Sequence, residues 1–219
     1  MEVRSVMLGL APLLLSACGG KLDANARNFG AAIEQSLQEH GHQCLGMVRW
    51  PLQVPKEDGR ASFYPPDLPV RLAALQAAGL VVATDTEVEV KSYLSRPGKM
   101  QRVVQYMTTE AAKPYLRKPH RPPYALGPDH PEPIDLCWGR KSVDKVVKWQ
   151  GPIKFGDYQA ADVEYTYKLL DLAPWTHRPD IQKAFGSVKE TLDGAGIKVL
   201  TRDVHLTSEG WEVKRSLID

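Results

Sequence analysis

The chain has 219 residues, enough for one large or two small domains. It is 43% hydrophobic and 25% charged, ordinary values for a folded globular protein. A net charge of +2 gives no strong steering toward nucleic acid or anionic lipid.

The first segment has three parts. Met1-Glu2-Val3-Arg4 is a short head whose positive charges are Arg4 and the free amine. Residues 6–15 are almost continuously apolar, far short of the roughly 20 residues that a bilayer-spanning helix needs. Two small residues and a cysteine follow. Leu15-Ser16-Ala17-Cys18 resembles the lipobox of bacterial lipoprotein precursors. The resemblance implies that residues 1–17 are a signal peptide and that Cys18 is lipidated on its sulfur. The new amine would then be acylated, for instance with palmitate. Two or more acyl chains give stable anchoring where one does not. The resemblance places the mature body in the bacterial cell envelope. Gly19, where many inner-membrane lipoproteins have Asp, points to the outer membrane, facing the periplasm. The competing reading is a buried first strand or helix in which Cys18 is only a small apolar residue.

Residues 18–25 read as a polar tether. Phe29, Ile33 and Leu37, four apart, predict an amphipathic helix over 26–39. A strand is expected over 44–50, and a helix over 69–78 that stops at Gly79. Strands over 80–94 and 100–107 flank a hairpin loop at 95–99. Six prolines crowd residues 116–133, which suits a stiff linker and excludes a helix or inner strand. Further strands are expected near 134–138, 142–149, 158–169 and 197–206, with a helix over 180–192. The expected class is α+β, with two small domains (26–115 and 134–219), each a helix packed on short antiparallel strands.

Leu75-Gln76-Ala77-Ala78-Gly79-Leu80 lines up with Leu192-Asp193-Gly194-Ala195-Gly196-Ile197, each a helix end, a Gly stop and a strand start. Thr108-Thr109-Glu110-Ala111 likewise parallels Thr207-Ser208-Glu209-Gly210. The competing reading is a chance match of common junctions. Leu72, Leu75, Gly79 and Leu80, then Arg96-Pro97-Gly98-Lys99 and Tyr106-Met107-Thr108, resemble a winged helix, the small fold of many bacterial transcription regulators. That helix carries only Arg71 as a base. Reading DNA needs groups that meet base edges and several cations on phosphates. A nucleic-acid partner is therefore not expected.

With Cys18 acylated, Cys44 and Cys137 remain: a disulfide in an oxidising periplasm, or two buried thiols. His40, His42 and Cys44 are the one dense set of metal ligands, opposed by the plainer reading of a helix end and a polar turn. No cofactor is implied. Pro174-Trp175-Thr176-His177-Arg178-Pro179 is the expected exposed contact surface, with Trp175, His177 and Arg178 as its contact residues. Lys113, Arg117, Lys118, His120 and Arg121 are read as solvated linker cations, with contact to anionic headgroups or peptidoglycan carboxylates as the alternative. Gly-x-Ser-x-Gly, His-Glu-x-x-His and the Walker phosphate loop are absent from the sequence. The expected function is a non-enzymatic, membrane-anchored envelope protein that binds a protein or envelope component. The alternative is an envelope hydrolase with dispersed carboxylates.

Overall fold

Asn25 starts the first helix. The structure, a computed structural model, describes residues 20–47, 49–56, 64–92, 95–119 and 132–214. The lipobox segment and most of the proline-rich stretch lie outside these. Asn25 is extended, and its side chain accepts the Asn28 backbone N–H at 2.9 Å, capping α1 (Ala26–His40). Phe29, Ile33 and Leu37 are buried on this helix, as their spacing predicts. Gly41 ends it and leads into β1 (His42–Cys44).

The next part of the chain builds a three-stranded antiparallel sheet. It comprises β2 (Leu52–Pro55), β3 (Val81–Ser92) and β4 (Ser95–Thr108), in the order β2-β4-β3. Before β3 comes α2 (Leu68–Ala77), with Pro69 in its first turn. A 3-10 turn over Glu110–Tyr115 then leads to the two-residue β5 (Leu116–Arg117).

The second sheet dominates the molecule. It holds β6 (Asp135–Phe155, 21 residues), β7 (Tyr158–Leu170), β8 (Val199–Thr207) and β9 (Gly210–Val213). Its order is β1-β6-β7-β8-β9, all antiparallel, with β5 also paired to β6. Between β7 and β8 come a 3-10 turn (Pro174–His177) and two short helices, α3 (Pro179–Ala184) and α4 (Gly186–Asp193).

This corrects the expected class. The protein is mostly β, with a curled antiparallel sheet, rather than an α+β pair of helices on short strands. The two strands expected over 134–149 are one strand that runs on to Phe155. Three register shifts in its pairing with β7 absorb the irregular positions as bulges. The helix expected over 180–192 is broken at Phe185, whose φ of −124° and ψ of 81° leave the helical region. Phe185 is turned into the core instead. The residues read as a winged helix form the three-stranded sheet with α2. The one base on that helix, Arg71, is occupied by Asp67 at 2.6 Å and stacks over the Phe185 ring.

Two buried clusters hold the chain together. One joins Leu72 and Leu75 of α2 to Leu136, Trp138, Trp175, Ile181 and Val188. The other joins Phe29, Ile33 and Leu37 of α1 to Val163, Tyr165, Val204 and Trp211. The repeat holds at one landmark and fails at the other. Gly79 and Gly196 both take positive φ, +72° and +75°, at matching helix ends. Thr109, however, precedes a 3-10 turn, whereas Thr207 enters the β8–β9 turn.

Candidate functional site

Register decides the cysteines. Cys44 on β1 lies opposite Cys137 on β6, and the two form a disulfide across a separation of 93 residues. The Cys44 sulfur is therefore not a thiolate ligand beside His40 and His42. Among the described residues no group of three or more His, Cys, Asp or Glu stands ready to hold a metal. His42 is exposed, and His40 lies 3.5 Å from Glu39.

Of the three expected contact residues, Trp175 is buried, with its ring edge-on to Tyr115 at 5.7 Å. An indole gains more by covering the core than by facing water, whatever prolines flank it. His177 is exposed. Arg178 grips Asp180 with a two-pronged hydrogen bond, at 3.0 and 2.7 Å, and that guanidinium holds the Asp180 carboxyl below its ordinary value.

Two strongly exposed apolar side chains, Ile153 and Phe155, stand together at the tip of the β6–β7 hairpin. On β7 the buried residues Ala161, Val163, Tyr165 and Tyr167 alternate with Tyr158, Ala160, Asp162 and Glu164 on the outer face. Ile153 pairs with Ala160 and Phe155 with Tyr158. Paired residues share a face, so Ile153, Phe155 and Tyr158 all lie on the outer one. Phe155 is 84% exposed and Ile153 74%. Tyr158 stacks on His205 of β8, with the rings 6.4 Å apart. Ile153 and Phe155, with Lys154 between them, stand exposed among the described residues, while His205 covers part of Tyr158.

The N-terminal end of the described chain lies at the same end of this sheet. Trp211 of β9 donates its indole N–H to the Leu22 carbonyl at 3.2 Å. A side chain at Gly210 would meet the Lys21 carbonyl at 3.5 Å. The register runs from Gly210 to Thr207 and from His205 to Ala160, then on to Ile153. The three strand spacings from β9 to β6 amount to about 15 Å. Residues 20–22 and the hairpin tip therefore occupy one edge of the molecule.

Other features offer less. A cleft of about 180 Å³ is lined by Trp50, Pro51, Met107, Thr108, Leu116 and Ile134, with no carboxylate among them. Asp162 and Asp203 are register partners, but on the open outer face. Asp135 is buried and spent on structure. Its carboxylate accepts backbone N–H groups of Gly46, Met47 and Leu136 at 2.9, 3.1 and 2.7 Å, while burial pushes its pKa up despite them.

No family model, curated protein or solved structure matches the chain. The hairpin tip escaped the sequence reading. Its only local signal was Ile153-Lys154-Phe155 ahead of Gly156-Asp157, a turn dipeptide in reverse order to the usual Asp-Gly.

Proposed function

We propose that this is a non-enzymatic, lipid-anchored envelope protein of the binding kind. It is acylated at Cys18 and seated on the bilayer by the tip of its β6–β7 hairpin. The observation that carries this reading is the shared edge: the exposed Ile153 and Phe155, with the half-covered Tyr158, stand about 15 Å from the point from which the chain leads back to Cys18. Cys18 lies two positions before Gly20, a reach of about 7 Å in extended chain. An anchor so short brings this edge down to the headgroups. Two aromatic rings, an isoleucine and a lysine suit that interface, where apolar bodies bury and polar tips stay wet. The Cys44–Cys137 disulfide is in keeping with an oxidising compartment outside the cytoplasm. On this reading the chain faces the periplasm from the outer membrane, and the rest of the sheet is free to meet a protein or envelope partner.

The test has two arms. Intact-mass analysis of the membrane-extracted protein is expected to show an N-terminal acylated cysteine at position 18. Hydrogen exchange of the lipidated protein is expected to slow over residues 150–160 when vesicles are added. An unmodified N-terminus overturns the anchor, and unchanged exchange at the tip overturns the seating.

A further inference from the structure

Three cations lie on the inner face of the large sheet, Lys141 and Lys198 toward the end far from the hairpin tip and Arg202 nearer its middle. Lys141 of β6 pairs with Leu169 of β7, and Arg202 of β8 pairs with Val163. Leu169, Tyr167, Tyr165 and Val163 alternate along one face of β7, so Lys141 and Arg202 share that face with the two tyrosines. Lys141 Nζ sits 4.7 Å from the centre of the Tyr167 ring. Lys198, just before β8, closes the group: its Cβ and the Tyr167 hydroxyl both crowd the space beside Gly194.

The charges do not balance. Lys198 pairs with Glu190 at 2.6 Å, the one carboxylate in the group among the described residues. Among the described residues Arg202 makes only a 3.5 Å contact to the carbonyl of its neighbour Thr201. Lys141 rests on an aromatic face. Burial, followed by the positive charges of Lys198 and Arg202, draws the Lys141 pKa below the ordinary lysine value, with Glu190 opposing. The back wall is also incomplete. Tyr167 donates to the Thr191 carbonyl at 2.8 Å, but the Tyr165 hydroxyl is fully buried and has no hydrogen-bond partner. A buried hydroxyl without a partner is costly, and a ligand oxygen that accepts from it removes that cost.

We propose that Lys141, Lys198 and Arg202 form a binding site for a phosphate-type dianion, with the Tyr165 hydroxyl donating from beneath. Three cations against one carboxylate leave room for two negative charges. A guanidinium fork meets two oxygens of a phosphate side by side, and ammonium groups serve the others as point charges. The site lies on the inner face of the sheet, opposite the face that carries Ile153 and Phe155, so a soluble phosphate or phosphomonoester fits it better than a lipid headgroup. It stands whether or not the chain is anchored.

The test is titration calorimetry of the protein with inorganic phosphate against sodium chloride of matched ionic strength. Saturable binding of phosphate is expected. Lys141→Gln and Arg202→Gln are each expected to weaken it about tenfold. Tyr165→Phe should weaken it less, and Lys168→Gln, on the outer face, not at all. Lys198→Gln changes a half-exposed side chain and provides a variant whose folding is not in question; it too should weaken binding. The proposal is overturned if phosphate gives no saturable heat into tens of millimolar, or if Lys198→Gln and Arg202→Gln bind as the parent does. It is equally overturned if vesicles bearing a lipid phosphomonoester bind without competition from inorganic phosphate.

Discussion

Trp211 and Leu22, 189 residues apart, are joined by one hydrogen bond from the indole N–H to the main-chain carbonyl. The Trp211 ring also packs edge-on against Phe29 at 4.8 Å, and Phe29 meets Trp149 of β6 at 5.4 Å. This aromatic triplet locks the start of the described chain to both sides of the large sheet.

Phe29→Ala should therefore be among the costlier single changes. Phe29 is fully buried, and truncating such a ring removes its transfer energy and leaves a cavity. The expected loss is about 3–5 kcal/mol. Urea denaturation followed by tryptophan fluorescence checks this, and a midpoint within error of the parent would show that the triplet is not a unit.

Reducing the Cys44–Cys137 bond, or replacing both residues with Ser, frees a loop of 93 residues in the unfolded chain. The chain-entropy model gives about 4–5 kcal/mol for a loop of that length. The expected result is a lower urea midpoint with reductant present, and no effect of reductant on the double Ser variant.

Glu34 ties α1 to the open side of β6. Its carboxylate accepts the Val143 backbone N–H and the Ser142 hydroxyl, both at 2.8 Å, and meets Arg140 at 3.3 Å. Burial pushes the carboxyl up, but these three donors together outweigh it and hold the pKa below the ordinary value. A folded-state pKa depressed in this way contributes stability above the unfolded value, near 4.3, and loses it as pH falls through the folded value. Thermal midpoints of the parent and of Glu34→Gln should therefore converge below about pH 4. Glu34→Ala, which strands the Val143 N–H, should cost about 1–3 kcal/mol at neutral pH.

Gly41 marks the place where α1, β1 and β6 meet. It donates to the Leu37 carbonyl at 2.8 Å and accepts from the Lys141 N–H at 2.9 Å. A Cβ there would press on the Leu37 carbonyl oxygen and lie 2.9 Å from that of Lys141, both rigid backbone. Gly41→Ala should cost about 1–3 kcal/mol, as overpacking does, and circular dichroism melts will read it.

Much of the local structure was legible. The four-residue apolar spacing in α1, the proline opening α2 and the Gly79 stop all came through, because each acts within a turn or two of the chain. Strand continuity was harder to read. Gly139 and Pro152 look like breaks in β6, yet pairing with Gln43 of β1 carries the strand past the first and a bulge against β7 carries it past the second. Trp175 was misplaced for a related reason: prolines on either side signal a loop, but not which way its ring will turn.

By itself, the sequence determined the inventory: one apolar N-terminal segment ending in Cys18, two further cysteines, and α1, α2, β7 and β8 near their observed bounds. Only the tertiary structure decided which parts meet. It set Cys44 opposite Cys137, brought the hairpin tip to the same edge as residues 20–22, and laid Lys141 over the Tyr167 ring. The physical reason is range. Periodicity and capping act over a few residues, whereas strand register joins segments tens of residues apart and has no local trace in the chain.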